Sequence, residues 1–290
     1  MLALALISLF TDAPPSTAPQ LKSLGIECVY VAPEALDAWK AAGACAKPLP
    51  AVSKLPSPGV QYRMNMASAS NAPWVNSNGS QYVRGLKAPA YMEPANPVLA
   101  AAEAHAYGVD VIMKVAAKDW PKFAEAAKLL AAIPASKLPP LANIGFLDDG
   151  SPAAGENLNL LVRRNLLFRV LSAPDSKLDL NVKPQAGDPS AYAYQLRQKL
   201  GDDKRLLRIY GSDVVIASLS GDATGRRITL LNYGNRNVEG LRVRLLGRFP
   251  SLRLYSSAGP VEPKDLLVTA ESTEFSLPLV PTYTVIDLKP

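Results

Sequence analysis

Hydrophobic and polar positions change their spacing part-way along this chain, and the change predicts two kinds of structure. Up to about residue 205, short apolar runs alternate with segments whose apolar residues recur three or four positions apart, which is the spacing of an amphipathic helix. From Leu206 onward, only short strand-like runs occur, separated by Gly, Asn, Asp and Pro. The pattern therefore predicts an α/β region followed by an antiparallel β-sandwich.

The α/β region repeats the order helix, glycine, strand, helix. The first copy covers residues 18–43 and the second covers 98–133, with Gly25 and Gly108 before the two strands. A third unit joins a strand at 142–147, an acidic loop at 148–155 and a helix at 156–171. A strand at 178–182 and a helix at 189–200 follow. Such parallel β/α units predict a partial or degenerate barrel, or a doubly wound sheet.

Three segments of this region lack helical spacing. Residues 48–59 carry four prolines and are predicted to be a loop, and residues 60–67 alternate as a strand does. Residues 71–97 are polar and rich in Pro, Gly and aromatic residues, so we interpret them as a long functional loop or an insertion. Residues 134–140 read as a proline-marked linker and as a sub-boundary within an α/β domain that covers 20–205.

The β-sandwich is predicted to cover residues 206–290. Seven short runs at regular intervals, with turn residues between them, support this interpretation. The runs lie at 206–210, 214–219, 227–233, 241–246, 252–255, 273–277 and 282–288.

The beginning of the chain has two interpretations. Residues 1–10 are almost wholly apolar and residues 11–19 are rich in Pro and small side chains, which predicts a signal peptide at 1–19 and a secreted or periplasmic protein. The alternative is a core strand at 2–10 and a cytoplasmic protein, and the lack of a basic residue before the apolar run favours it. Because a bilayer span needs about 20 apolar residues and no run reaches that length, we expect no integral membrane segment.

Composition narrows the classes of partner. Hydrophobic residues make up 48% of the 290 residues and charged residues 19%, which is typical of a globular protein. The net charge is +6, and residues 158–208 contain ten Lys or Arg against five Asp or Glu. No nucleic-acid motif accompanies this excess, so a solvated basic surface and no nucleic-acid partner are expected.

Metal and cofactor motifs are lacking in the sequence. Cys28 and Cys45 either form a disulfide in an exported protein or remain buried free thiols. The single His105 cannot complete a typical zinc site, and it does not share a helix face with Glu103 two positions earlier. Neither a Gly-x-Ser-x-Gly elbow, a Walker loop nor a Gly-x-Gly-x-x-Gly fingerprint occurs, so no cofactor is predicted.

Three motifs carry a resemblance to a known group of enzymes. The runs RITLLNY at 227–233 and PTYTVIDL at 281–288 resemble the β-sandwich that ends many multidomain glycoside hydrolases, where it commonly follows a catalytic barrel. The run NIGFLDDG at 143–150 resembles the first β/α unit of the flavodoxin- or amidotransferase-like domain found between the two. The resemblance covers about residues 141–290. It does not extend to amide transfer, because neither cysteine lies in this half.

Candidate site residues follow the predicted strands, because ligands gather at the carboxyl ends of parallel strands. Glycoside cleavage needs two carboxyl groups, about 5–5.5 Å apart for retention and about 6.5–9.5 Å apart for inversion of configuration. The candidate catalytic acids are Glu34, Asp148 and Asp149. The candidate substrate-binding residues are Trp74, Asn76, Asn78, Tyr82, Arg84 and Glu156.

Each candidate also has a structural interpretation. Glu34 follows a proline and suits a helix start, Asp148 and Asp149 suit a turn before Gly150, and Trp74 suits a buried anchor of its loop. Three functional hypotheses result, of which the last is a small hydrolase with a non-sugar substrate, based on Asp148 and Asp149 lying where catalytic acids often do. The first is an exported, carbohydrate-associated protein related to glycoside hydrolases, with an oligosaccharide or polysaccharide as its partner. The second is a non-catalytic interaction or assembly protein that forms oligomers through its β-sandwich.

Overall fold

A computed structural model of the chain describes residues 7–64, 71–86 and 89–290. Its contacts divide the chain into two compact units. The first unit consists of Met1–Gly59 and Gly85–Ala135, and the second consists of Val60–Arg84 and Ser136–Pro290. The last of these boundaries falls inside the linker predicted at 134–140.

Strands and helices are numbered in chain order. The strands are β1 (Ile7–Phe10), β2 (Cys28–Val31), β3 (Cys45–Pro48), β4 (Ser53–Lys54), β5 (Gly59–Met64), β6 (Asn71–Asn76), β7 (Ala90–Met92), β8 (Val111–Lys114), β9 (Ile144–Leu147), β10 (Phe168–Leu171), β11 (Leu180–Val182), β12 (Leu207–Tyr210), β13 (Val215–Asp222), β14 (Gly225–Asn232), β15 (Val238–Leu246), β16 (Ser251–Ser256), β17 (Lys264–Val268), β18 (Ser272–Val280) and β19 (Tyr283–Lys289). The α-helices are α1 (Ala18–Ser23), α2 (Leu36–Ala41), α3 (Gly79–Val83), α4 (Pro97–Tyr107), α5 (Trp120–Ala132), α6 (Pro152–Arg163) and α7 (Pro189–Leu200).

The first unit is built on a parallel sheet with the strand order β3-β2-β1-β8-β7-β4. The first strand, β1, therefore lies beside the last, β8, and the other strands follow chain order on either side. This is the neighbour order of a β/α barrel, interrupted between β3 and β4. A doubly wound sheet would instead have placed a strand from the middle of the chain order beside β1.

The helices of the first unit begin and end where their capping residues require. In α4, the Asn96 side chain accepts hydrogen bonds from the amides of Val98 and Leu99, and Gly108 ends the helix in the left-handed conformation with φ 66°. In α5, Trp120 is buried and donates its ring N–H to the Val115 carbonyl. Both helices pack together, and α4 covers β1 and β8.

The second unit contains a three-stranded parallel sheet with the order β10-β9-β11. Helices α6 and α7 pack on it around Phe146, Leu158 and Leu196. The prediction of one helix over 156–171 is wrong, because α6 ends at Arg163 and Phe168–Leu171 forms β10. The break lies at Asn165, whose φ of 53° is left-handed and cannot continue an α-helix.

The β-sandwich closes the second unit. Two antiparallel sheets, β12-β15-β18-β17 and β13-β14-β19-β16, enclose a core that includes Leu230, Val243, Phe275 and Ile286. The predicted fold class, β/α units followed by a C-terminal antiparallel sandwich, is confirmed. The seven predicted runs correspond to seven of the strands, and β17 is an additional one. β17 lies at a sheet edge and is exposed over most of its length, so its sequence lacks the alternation of a half-buried strand.

Two segments predicted to be loops contain regular structure. Residues 48–59 include the two-residue strand β4, whose Lys54 pairs with Tyr91 of β7. The described part of 71–97 contains β6, α3 and β7, so the prediction of an irregular segment there is wrong. Short elements of three to six residues with few apolar positions give little periodic signal.

The six-stranded sheet bears on two questions that the sequence left open: the role of the first residues and the state of the two cysteines. Ile7–Phe10 forms β1 in the middle of the sheet, which favours the core-strand interpretation. Cys28 and Cys45 face each other on β2 and β3 and form a disulfide with a Cα–Cα distance of 4.6 Å. None of the described helices is long and apolar enough to cross a membrane.

Candidate functional site

The carboxyl edge of the six-stranded sheet gathers charged side chains from four neighbouring strands. The register pairs Phe10 of β1 with Lys114 of β8, and Lys54 of β4 with Tyr91 of β7, which in turn lies beside Ile112. Since Ile112 and Lys114 are two positions apart, their side chains share one face of the sheet. Phe10, Lys54 and Tyr91 therefore lie on that same face.

Two ion pairs form at this edge. Lys114 Nζ lies 2.6 Å from Oδ2 of Asp12, which follows β1 by two residues. Lys54 Nζ lies 3.0 Å from Oε1 of Glu93, which directly follows β7. The Tyr91 hydroxyl donates to the same Glu93 oxygen at 3.3 Å. We call Asp12, Lys54, Tyr91, Glu93 and Lys114 the edge cluster.

The pKa values at the edge cluster follow from these contacts. The hydrogen bond from Lys114 lowers the pKa of Asp12, and the hydrogen bond and charge of Lys54 lower that of Glu93. The Asp12 hydrogen bond raises the pKa of Lys114, with the Asp12 and Glu93 charges adding to it. Burial and the Glu93 charge raise the pKa of Tyr91 to about 12. At neutral pH Asp12 and Glu93 are therefore carboxylates, Lys114 is an ammonium group and Tyr91 keeps its phenolic O–H.

Aromatic rings lie beneath these charges. Phe10 meets Tyr91 edge to face, with the ring centroids 5.9 Å apart, and Lys54 Nζ lies 6.0 Å from the centroid of the Tyr91 ring. Phe10 is buried, whereas the side chains of Asp12, Glu93 and Lys54 are about half exposed or more. The edge therefore combines hydrogen-bonding groups open to solvent with an apolar surface beside them.

Glu34, one of the predicted acids, belongs to this edge. It is exposed on a 3-10 helix, Pro33–Ala35, directly after β2, which is the neighbour of β1. Its predicted partners Asp148 and Asp149 follow β9, which lies in the three-stranded sheet of the other unit. Because β1 and β2 are parallel neighbours, Glu34 lies at the same edge of the sheet as Asp12. The pairing of Glu34 with Asp148 or Asp149 stays a prediction.

Asp148 is held by Arg84 in a bidentate ion pair. Arg84 Nε donates to Asp148 Oδ2 at 2.8 Å and Nη2 donates to Oδ1 at 3.0 Å, with both side chains largely buried. Asp148 Oδ1 also accepts from the Gly150 amide, and Asp149 Oδ1 accepts from the Ser151 amide. Both acids thus order the turn before α6, on which Glu156 is exposed. These contacts match the structural interpretation of the pair.

The remaining predicted residues lie on β6, on α3 and at Asn78 directly before α3, all in the second unit. Trp74 packs against the core beside β9, and the Arg163 guanidinium carbon lies 3.7 Å from its ring centroid. Asn78 and Tyr82 are buried, and Asn76 is half-buried. One face of Trp74 is therefore covered by protein, and a role of these side chains in sugar binding stays a prediction.

Asp12, Glu93 and Lys114 were not among the sequence candidates. Asp12 lies in the segment interpreted as a signal peptide, and Glu93 lies in the segment interpreted as a loop. The sequence does contain a signal for these two acids, because each follows an apolar run by one or two positions, and Glu34 likewise follows Val31 by three. The pairing of β7 with β8 was needed to show that the two acids share one edge.

Comparisons with known proteins bear on the fold. No protein-family model and no curated protein matches the sequence. The structure is similar to α-L-fucosidase isoenzyme 2 from Paenibacillus thiaminolyticus, with a TM-score of 0.51 and 8% identity over 71% of this chain and 61% of that chain. At this identity the similarity concerns the fold alone. The chain thus spans less than two thirds of the fucosidase that it resembles.

Two further solved structures align more weakly. A maltogenic α-amylase from Thermotoga neapolitana aligns over 100% of both chains with 9% identity and a TM-score of 0.27. An endoxylanase from Clostridium papyrosolvens aligns over 99% of this chain and 96% of that chain, with 11% identity and a TM-score of 0.21. TM-scores this low do not show a shared fold, so the fold similarity is based on the fucosidase alone.

Proposed function

We propose that the protein binds carbohydrate through the edge cluster and that it is exported. The single observation that carries the proposal is the pair of carboxylate–ammonium contacts, Asp12 with Lys114 and Glu93 with Lys54, at the carboxyl edge of a barrel-ordered sheet. Ionised carboxylates accept hydrogen bonds from sugar hydroxyls and ammonium groups donate to them, and such charge-assisted bonds are the stronger kind. The similarity to an α-L-fucosidase supports the choice of a sugar.

Export is supported by the Cys28–Cys45 disulfide. Disulfides persist in secreted and periplasmic proteins and are rare where glutathione keeps thiols reduced. The signal segment predicted at 1–19 conflicts with the position of β1, because its removal would take a central strand out of the sheet. The proposal of export therefore rests on the disulfide.

Glycoside hydrolysis is the second candidate, because Asp12, Glu34 and Glu93 follow strands of one sheet. Hydrolysis by a carboxyl pair needs one protonated acid and one carboxylate. The lysines lower the pKa of both Asp12 and Glu93, whereas a carboxyl that keeps its proton at neutral pH needs a raised pKa. Binding without turnover is thus the function that the edge cluster supports best.

The test is a binding and turnover screen. Maltohexaose, xylohexaose and a fucosylated oligosaccharide would be titrated calorimetrically into the full chain, and each mixture would be assayed for released sugar. We expect binding of at least one sugar, and loss of roughly tenfold in affinity in each of Asp12→Asn and Glu93→Gln. Glu27→Gln is the matched control, since Glu27 is exposed at the opposite end of β2. Binding by none of the sugars would contradict the proposal, and turnover lost in both variants would favour hydrolysis.

Assembly through the β-sandwich has one observation in its favour. The edge strand β17 exposes Leu266 and Leu267, at 45% and 54% of their surface. Exposed apolar edge strands pair readily with other chains. Light scattering would show a defined oligomer that Leu267→Lys dissociates if β17 mediates assembly, whereas a monodisperse monomer would exclude this role.

A further inference from the structure

The outer face of the sheet β12-β15-β18-β17 carries a row of arginines. On these strands, core residues such as Leu207, Val243 and Phe275 point into the sandwich. The residues that alternate with them along each strand therefore point outward. The ladder places Arg208 opposite Arg244, and Arg244 opposite Glu274. One level further along, it places Tyr210 opposite Arg242. The end of α7 adds Arg197 to the same row through Asp202, which contacts both Arg197 and Arg208.

Positive charge exceeds negative charge in this row. Asp202 is shared by Arg197 at 2.8 Å, Arg205 at 3.3 Å and Arg208 at 3.4 Å. Glu274 is shared by Arg242 at 2.9 Å and Arg244 at 3.4 Å. Two carboxylates thus contact five guanidinium groups, of which that of Arg205 is buried and also donates to the Asn165 carbonyl. We call the set the arginine strip: Arg197, Asp202, Arg205, Arg208, Arg242, Arg244 and Glu274.

The arginine strip brings like charges close together. Arg208 and Arg244 face each other directly across two strands, and like charges in that position destabilise a sheet. Among the residues that the structure describes, the buried atoms Arg208 Nε and Arg244 Nη1 have no hydrogen-bond partner. The strip therefore has more N–H donors than the carboxylates within it can accept.

Two exposed tyrosines flank the strip. Tyr210 is 37% exposed, and the Arg208 guanidinium carbon lies 4.9 Å from its ring centroid. Tyr194 is 60% exposed on α7, three residues before Arg197, and its hydroxyl accepts from Gln198. Aromatic rings beside guanidinium groups offer an apolar face and fork-shaped donors in one surface.

We infer that the arginine strip binds an acidic polysaccharide whose sugar units carry carboxylate groups. The guanidinium fork matches a carboxylate in a bidentate geometry, as Arg197 does with Asp202, and Arg242 donates one hydrogen bond to Glu274. Uronate carboxylates supply the negative charge that the strip lacks, while tyrosine rings pack against the C–H faces of the sugar rings. The site lies on the sandwich, so it is separate from the edge cluster in the first unit.

The test compares polygalacturonate with the same polymer after reduction of its carboxyl groups. Binding to the full chain would be measured by calorimetry for the natural protein and for the double variant Arg197→Gln/Arg242→Gln. Both side chains are about half exposed, at 49% and 53%, so their replacement leaves the core unchanged. The control is Arg253→Gln, because Arg253 stacks on Tyr255 at 5.2 Å on the opposite sheet of the sandwich.

We expect the double variant to bind polygalacturonate at least roughly tenfold more weakly, the control to bind as the natural protein does, and the reduced polymer to bind to none of them. Equal binding of both polymers, or equal loss in the control, would overturn the inference. Tighter binding of heparin or of an RNA oligonucleotide than of polygalacturonate would also overturn it. Should the double variant unfold, Arg197→Lys/Arg242→Lys would be tested instead, because it keeps the charge but removes the guanidinium fork. We expect this variant to bind polygalacturonate more weakly than the natural protein, by a smaller factor.

Discussion

Lys114 Nζ lies 2.6 Å from Asp12 Oδ2, and this contact joins the ends of the first and last strands of the six-stranded sheet. The same ammonium group acts through its charge on Glu93, after the next strand. Lys114 thus connects the two carboxylates of the edge cluster. Because Lys54 is the closer partner of Glu93, we expect Lys114 to act mainly on the pKa of Asp12 and Lys54 mainly on the pKa of Glu93.

The first prediction concerns the pKa values of the two carboxyls. Lys114→Met should raise the pKa of Asp12 toward its ordinary value of about 3.9, and Lys54→Met should raise that of Glu93 while leaving Asp12 nearly unchanged. Carboxyl ¹³C titration by NMR would measure both. Equal shifts of both carboxyls in each variant would contradict the assignment of partners.

The Asp12–Lys114 pair also sets a pH dependence of stability. The folded pKa of Asp12 lies below its unfolded value, so its contribution is present above about pH 4 and is lost as the pH falls through the lowered folded pKa. The folded pKa of Lys114 is raised, so its contribution is lost only in strongly alkaline solution. Since Asp12 is 68% exposed, solvent screening keeps the contribution below about 1 kcal/mol. Urea unfolding of Lys114→Met should show this deficit at pH 7 and none at a pH below the folded pKa of Asp12.

The second prediction concerns the disulfide between β2 and β3. Replacing both Cys28 and Cys45 by Ser should lower the free energy of unfolding by roughly 3 kcal/mol, because the bond closes a loop with a sequence separation of 17. Guanidinium unfolding with and without a reductant would measure the effect. A reductant that leaves the natural protein unchanged would contradict the bond, and the double variant, which has no cysteines, serves as the control for the reductant.

The third prediction concerns Asn165, which joins α6 to the sandwich. Its side chain donates to the Val215 carbonyl at 3.0 Å and accepts from the Ala217 amide at 2.6 Å, both on the edge strand β13. Asn165→Ala should lower the free energy of unfolding by roughly 2–4 kcal/mol, because both hydrogen bonds are lost and alanine is strained at φ 53°. Asn165→Gly removes the strain and should recover about 1 kcal/mol of the loss. Equal unfolding free energies for the two variants would show that strain contributes nothing.

The fourth prediction separates a structural from a catalytic role of Asp148. Asp148→Asn should lower the unfolding free energy by about 1–3 kcal/mol, because it weakens a largely buried bidentate pair with Arg84. Asp149→Asn should cost less than about 1 kcal/mol, because Asp149 is exposed and makes only a local turn contact. Sugar binding should be unchanged in both. A loss of sugar binding without a loss of stability in Asp148→Asn would support Asp148 as a site residue.

The sequence was most informative where elements repeat one period for many residues. The strands of the sandwich and helices α4, α5 and α7 were predicted close to their observed bounds, because capping residues such as Asn96 and Asp188 and alternating core positions act locally. The helix over 156–171 was predicted too long, because a left-handed Asn165 has no strong sequence signature and Phe168–Leu171 is apolar in either conformation.

The residues of the candidate site are brought together by strand pairing between distant parts of the chain, which local sequence patterns do not reveal. Glu34 was correctly placed at the carboxyl end of a strand, but its neighbours at that edge are set by the pairing of β1 with β8. Asp148 was selected for the same reason, and its partner Arg84 lies 64 positions away in a segment predicted to be irregular. Long-range pairing therefore decides which of several similar acids share a surface.

The most direct test of the account is an NMR titration of the isotope-labelled chain with the oligosaccharide that binds best in the screen. Carbohydrate binding at the edge cluster predicts that resonances of Asp12, Tyr91, Glu93 and Lys114 shift with a common affinity, while those of Glu27 stay in place. Shifts confined to Arg84 and Asp148, with none at the edge cluster, would contradict the account.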